Sequence, residues 1–128
     1  MEKEKFESEF LLRTSLKVLD NMITTPSGLS EWFADDVNIK DDIYTFFWDG
    51  SEEEARLLTK KSNSKVKFKW LEDEEDGNDV YFEIRYEADP MTKSVIVTIT
   101  DFAEPSELDE SQRFWESQIG ELKRTLGA

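Results

Sequence analysis

Between Lys65 and Trp70 the chain alternates without a break, with Lys65, Lys67 and Lys69 on one parity and Val66, Phe68 and Trp70 on the other. Successive side chains of a strand point to opposite faces, so this hexapeptide reads as part of a sheet with one wet face and one covered face. A covered face needs a cover, and the C-terminal segment supplies one. Trp115, Ile119, Leu122 and Leu126 recur at i, i+4, i+7 and i+11, which aligns one apolar stripe along a long helix. Ser106 is placed to cap that helix. Glu107, Asp109 and Glu110 suit the positive end of its dipole, Lys123 and Arg124 the negative end, and Gly127 its stop.

The remaining segments fit the same scheme. Phe6, Ser8, Phe10 and Leu12 alternate with Lys5, Glu7, Glu9 and Leu11, a half-buried first strand. Ser15 suits an N-cap for Leu16, Leu19 and Ile23, and Thr25-Pro26 opens a second short helix through Leu29, Trp32 and Phe33. Strands are expected over Val37–Lys40 and Ile43–Trp48 around a tight turn at Asp41-Asp42, with a hairpin signal at Asp49-Gly50. In the next segment Ala55, Leu57 and Thr59 alternate against charged neighbours, with Leu58 intruding. An acidic loop is expected from Glu72 to Asp79. Val80, Phe82, Ile84 and Tyr86 then alternate with Tyr81, Glu83, Arg85 and Glu87, and Ser94 to Phe102 is rich in β-branched residues. Short connections between these strands imply an antiparallel meander. The whole reads as one domain over residues 1–128, with no repeat and no linker.

Composition excludes several classes of function. Thirty acidic against sixteen basic residues give a formal charge of −14, which repels phosphate backbones and anionic headgroups. Nucleic acid and membrane insertion are therefore not expected, and no apolar run is long enough to span a bilayer. The charged start Met1-Glu2-Lys3-Glu4-Lys5 is unlike a signal region, and with no cysteine the cytoplasm is the expected compartment. The chain has no histidine, so histidine bases and histidine-held metals are absent too. No cofactor and no metal is expected. Glu72-x-Glu74-x-Asp76-Gly77, with Glu83 beyond, echoes the spacing of a calcium loop. The flanking strands and the glutamate at its first position favour a solvated loop instead. Adjacent acids such as Asp35-Asp36 and Asp41-Asp42 read as solvated turns, not as a catalytic dyad, and Lys67 and Arg85 read as solvent-facing.

The stretch Thr25-Pro26-Ser27-Gly28-Leu29-Ser30-Glu31-Trp32-Phe33-Ala34-Asp35-Asp36-Val37 carries a resemblance, as do Phe114-Trp115 and Gly120-Glu121-Leu122-Lys123 in the last helix. With the order of elements, the chain resembles the helix-grip domains shared by START proteins, the birch-pollen-allergen group and the SRPBCC superfamily. Within it, the words are similar to those of the activator-of-heat-shock-ATPase-homologue-like proteins. The resemblance covers nearly the whole chain and implies an α+β fold. A curved seven-stranded antiparallel sheet would wrap a long C-terminal helix, with two short helices after the first strand. It also implies a cavity between sheet and helix, and a range of uses from lipid, sterol or polyketide binding to co-chaperone work. The eukaryotic activators carry an additional N-terminal domain not found in this chain, which weighs against the last.

Strand parity turns that implication into candidate residues. The expected ligand-binding wall is Phe10, Leu12, Leu57, Phe68, Trp70, Phe82, Ile84 and Val97, with Val66 and Ile99 on the same face, opposed by Trp115, Ile119 and Leu122 on the helix. Tyr44 and Tyr86 are candidate hydrogen-bond donors into the cavity. Each of Trp32, Trp48, Trp70 and Trp115 fits either a ligand wall or ordinary core. The leading expectation is a non-enzymatic domain holding a small apolar ligand. The alternatives are an interaction module with a filled core, docking a protein partner or a second copy of itself, and a carboxylate or tyrosine acid–base enzyme on an apolar substrate.

Overall fold

The computed structural model describes residues 3–128. Strand β1 (Glu4–Leu12) is followed by helices α1 (Leu16–Thr24) and α2 (Pro26–Trp32). Strands β2 (Asp36–Lys40), β3 (Ile43–Trp48), β4 (Ser51–Lys61) and β5 (Lys65–Trp70) come next. A short helix α3 (Leu71–Glu75) separates them from β6 (Phe82–Ala88) and β7 (Val95–Ala103). A 3-10 turn at Pro105–Glu107 then leads into the long helix α4 (Leu108–Leu126). The seven strands form one antiparallel sheet in the order β1-β7-β6-β5-β4-β3-β2. No helix of the described residues is long and apolar enough to cross a membrane.

Local chemistry accounts for the boundaries. The Ser15 hydroxyl accepts from the Val18 N–H at 3.2 Å, and the Thr25 hydroxyl accepts from Gly28 at 2.9 Å with Pro26 opening α2. Helices α1 and α2 approach so closely that a Cβ at Gly28 would lie 2.2 Å from the Asn21 carbonyl oxygen. Asp49-Gly50 makes the two-residue β3–β4 hairpin between Trp48 and Ser51, with Gly50 at φ 83°. At the far end of α4, Gly127 takes a left-handed conformation, and Ala128 donates its N–H to the Lys123 carbonyl.

Three expectations are corrected. Ser106 does not cap α4: Pro105 starts a 3-10 turn first, which draws Ser106 inside and leaves Glu107 at the N-cap without a side-chain bond. The acidic segment is not loop throughout, because Glu72, Asp73 and Glu74 complement the dipole of α3 from its first turn. Thr59 does not continue the inward parity of Ala55 and Leu57. The register slips between Leu57 and Thr59, so Thr59 faces Lys67 on the outer side while Leu58 is left protruding in the bulge.

The concave face of the sheet and the inner faces of the helices make one core. Leu12, Leu19, Ile23, Phe46, Val97, Ile99 and Leu122 have no exposed surface, and Trp115 and Ile119 are as good as sealed. Burying each such side chain contributes on the order of 1.5–3 kcal/mol, which is what holds α4 in the grip of the sheet.

Candidate functional site

The space between sheet and α4, where a cavity was expected, is occupied by aromatic rings. Phe33, at the end of α2, lies at ring-centroid distances of 5.0 Å from Phe46, 5.7 Å from Trp115 and 6.0 Å from Phe82. Phe82 in turn lies 5.1 Å from both Phe68 and Trp70. These are the separations of packed aromatic pairs, which leave no room for a guest between them. The structure does bring the predicted wall together, but as packing partners. Leu12, Phe68, Phe82, Ile84, Val97, Trp115, Ile119 and Leu122 are buried in this core, whereas Phe10, Leu57 and Trp70 sit half-buried at its margin. Phe33 is the residue that sequence reasoning missed as central. The signal was present in the Trp32-Phe33 pair, but helical spacing does not say which ring turns inward.

Of the four tryptophans, Trp32 and Trp115 are core, and their indoles donate to the Met22 carbonyl and to Asp101 at 2.9 and 2.8 Å. Trp48 and Trp70 are half-buried, 6.5 Å apart, at the C-terminal ends of β3 and β5, Trp70 beside the start of α4 and Trp48 beside its middle. Tyr86 is engaged outside the interior, and Tyr44 packs within it. The Tyr86 hydroxyl donates to Asp20 on α1 at 2.5 Å, and burial together with that carboxylate raises its pKa. Tyr44 is enclosed by Phe46 and Phe68.

The mouth beside Trp48 and Trp70 is where the chemistry gathers. A cleft of about 180 Å³ runs between Trp70, Tyr81, Phe102 and the start of α4. Inside it the Lys3 ammonium lies 3.1 Å from Asp73, whose same oxygen accepts from the Asn78 amide. Asp101 holds the Trp115 indole N–H on one oxygen and the Phe102 N–H on the other, both at 2.8 Å. Burial pushes the Asp101 carboxyl up to about 6, against the pull of those two donors and of Lys3. A second cleft of about 240 Å³ is ringed by Glu52, Glu53, Glu54, Glu72 and Glu75 around Trp70 and Leu71. There Glu53 is raised by burial and by the charge of Glu72. A third, of about 350 Å³, opens between the end of α2, Trp48 and α4, with Glu31, Asp35 and Glu121 on its rim. Among the described residues no group of three or more acids is arranged to hold a metal ion, and Glu83, the last residue of the calcium-like spacing, is paired with Arg85 at 3.2 Å on β6.

The sequence model of the START-like superfamily domain matches residues 1–128. The chain belongs to the START-like superfamily. A protein from Bacteroides fragilis with a solution NMR structure is 39% identical, over 98% of this chain and 93% of its own, with a TM-score of 0.68. The Aha1 dimer from Colwellia psychrerythraea shares the fold at 15% identity and a TM-score of 0.80, covering 94% of this START-like chain and 93% of the other. DynU16, from the dynemicin biosynthetic locus, is similar at 12% identity and a TM-score of 0.78 over 97% of this chain but 47% of its own. No curated protein matches the chain.

Proposed function

We propose that this START-like domain is a non-enzymatic protein-interaction module whose interior serves as scaffold. One observation carries the reading: Phe33 and its ring neighbours fill the space between sheet and α4 that a ligand-binding relative would leave open. A pocket for a lipid-like or aromatic ligand needs roughly 300 Å³ or more of enclosed, mostly apolar space. The clefts at the mouth, of about 180, 240 and 350 Å³, are instead open at the surface and rimmed by charged residues such as Lys3, Asp73, Glu53, Glu72, Glu31 and Glu121. Neither histidine nor cysteine is available for general-base or nucleophilic work. The Colwellia relative was solved as a dimer, so a START-like domain of this size is able to present its surface to another protein.

The experiment is native mass spectrometry of gently purified protein, followed by a lipid and small-metabolite thermal-shift screen. The expected result is a bare mass and no stabilising apolar compound. A co-purifying apolar ligand that shifts the NMR signals of Phe68, Phe82, Val97 and Ile119 would reject the reading and restore the cavity wall as a binding site.

A further inference from the structure

We propose that the mouth of the grip, with its Trp48–Trp70 shelf and surrounding carboxylates, docks a Lys- or Arg-bearing segment of a partner protein. The inference rests on the interaction-module reading and says where that module acts.

Charge is sorted along the strands. Register places Glu53 opposite Phe46 and Ser51 opposite Trp48 at the mouth, whereas Lys60, Lys61 and Lys65 lie at the far ends of β4 and β5, beside Arg85 of β6. Lys61 faces Lys65, and Lys65 faces Arg85, so these basic residues stand in one row away from the mouth, while of the pair nearest it, Arg56 and Lys69, Arg56 is already held by Asp42 and Glu74. The mouth is left with carboxylates in excess. Glu52, Glu53, Glu72 and Glu75 make no ion pair among the described residues, although they crowd one cleft. Glu53 is partly desolvated and sits in the field of Glu72, an arrangement that an incoming cation would relieve.

The apolar side of the site matches the same partner. Trp48 and Trp70 keep part of their rings in solvent, whereas Phe33, Phe46, Phe68, Phe82 and Trp115, against which the mouth is built, are buried. A lysine or arginine stem lies well along such a ring, and its charge gains from the ring face as well as from the acids beyond it. The molecule already contains the interaction in miniature. Its own Lys3 ammonium is seated on Asp73 in the cleft that Trp70 and Tyr81 also line, and Lys67 stands 3.9 Å above the Tyr81 ring. The clefts on either side of Trp70 and beside Trp48 have room for side chains, not for a folded ligand. A net charge of −14 steers basic segments in and repels both polyanions and a second copy of this chain.

The test uses the full chain and a labelled peptide alternating Lys and Leu, with its Glu-for-Lys counterpart as control. Binding is followed by anisotropy and by the indole N–H signals of the four tryptophans. Two double variants remove equal charge: Glu53→Gln with Glu72→Gln at the mouth, and Glu9→Gln with Glu87→Gln on the outer face. The expected result is that the basic peptide moves the Trp48 and Trp70 signals first, and that the mouth variant weakens binding roughly tenfold while the outer variant changes it less than twofold. Equal weakening by both variants would overturn the proposal, leaving only diffuse attraction to an acidic surface. No binding, or shifts that avoid Trp48 and Trp70, would overturn it as well. Concentration-dependent dimerisation of the free protein that moves the same two indoles would assign the mouth to a second copy instead. A co-purifying apolar ligand, by contrast, defeats the interaction-module reading itself and is seen in the mass spectrum before any peptide is added.

Discussion

The interior and the mouth of the grip are built from the same residue types and behave in opposite ways. In the interior, Phe33, Phe46, Phe82 and Trp115 meet ring against ring. At the mouth, Trp48 and Trp70 pack against those same rings but also border clefts lined by carboxylates, and there Asp73 and Asp101 lie partly or wholly out of water. A ring surrounded by rings contributes stability. A ring covered on one side only contributes less to the fold, and its open part stays available to something else. The difference teaches that aromatic content alone does not mark a ligand cavity in this fold; what matters is what each ring is packed against.

The largest effect that would break this contrast concerns the two regions directly. Phe33→Ala removes the ring that touches most of the others and is expected to cost about 3–5 kcal/mol, as for other fully buried aromatic truncations. Trp70→Ala deletes a larger side chain, but from the half-open mouth, and is expected to cost no more than about 2 kcal/mol. Urea titrations of both variants decide the matter. If the order is reversed, the interior is looser than its ring distances imply, and a cavity returns as a serious candidate.

Next comes the α1–α2 crossing that roofs the interior. Gly28 sits where an added Cβ would meet the Asn21 carbonyl oxygen at 2.2 Å and the Met22 Cα at 2.6 Å, all of it backbone. Backbone cannot swing aside as a side-chain tip can, so Gly28→Ala must push the helices apart. A loss of roughly 3 kcal/mol is expected, read as a drop in thermal midpoint, with the Phe33 and Trp32 NMR signals shifted as the roof lifts. A silent Gly28→Ala would mean that α2 is not anchored against α1, and that the interior is closed by something other than this crossing.

Most of the interior was legible in the sequence because it rests on period. The alternations in β1, β5 and β6 and the i, i+4, i+7 stripe of α4 assign Leu12, Phe68, Phe82, Ile84, Trp115, Ile119 and Leu122 to one face, and all of them are buried there. Parity fails only where the chain inserts a residue, as at Leu58, whose bulge sends Thr59 to the outer side. The mouth was far less legible. Asp101 lies in a β-branched run that reads as ordinary strand, and Asp73 lies in an acidic run that reads as solvated, yet one holds the Trp115 indole and the other holds Lys3. Those partners lie 14 and 70 residues away in the chain, so no local pattern could have paired them. Whether the grip is open or filled was likewise not readable, since it depends on how Phe33 turns at the end of α2.

Asp101 gives the mouth a pH signature that the interior lacks. Its carboxyl titrates at about 6 in the folded protein, against an ordinary value near 3.8, because burial disfavours the charge. The folded state therefore binds this proton more tightly than the unfolded chain does. The group's contribution should make the fold more stable as pH falls from about 6 to about 4, with the full cost of the buried charge present above 6. The expected span is on the order of 2–3 kcal/mol. It is isolated by comparing the wild type with Asp101→Asn, which should lack this segment of the stability–pH curve. Identical curves for the two proteins would place Asp101 in an environment as wet as that of the exposed acids.

The smallest effect tests whether Lys3 belongs to the mouth electrostatically. Its ammonium is 3.1 Å from Asp73 and its charge also favours the ionised form of Asp101, so the two carboxylates, which disfavour each other, share one cation. Lys3→Ala removes that cation while leaving both acids in place. The Asp101 carboxyl, followed by carbon NMR, should then titrate at a higher pH than in the wild type, while stability near neutrality falls by no more than about 1 kcal/mol, as expected for a partly exposed ion pair. An unchanged Asp101 titration would show that solvent, not Lys3, screens the pair. In that case the seat on Asp73 is a weak guide to how the mouth receives a partner's lysine, and the evidence for docking would rest on Trp48, Trp70 and the unpaired glutamates alone.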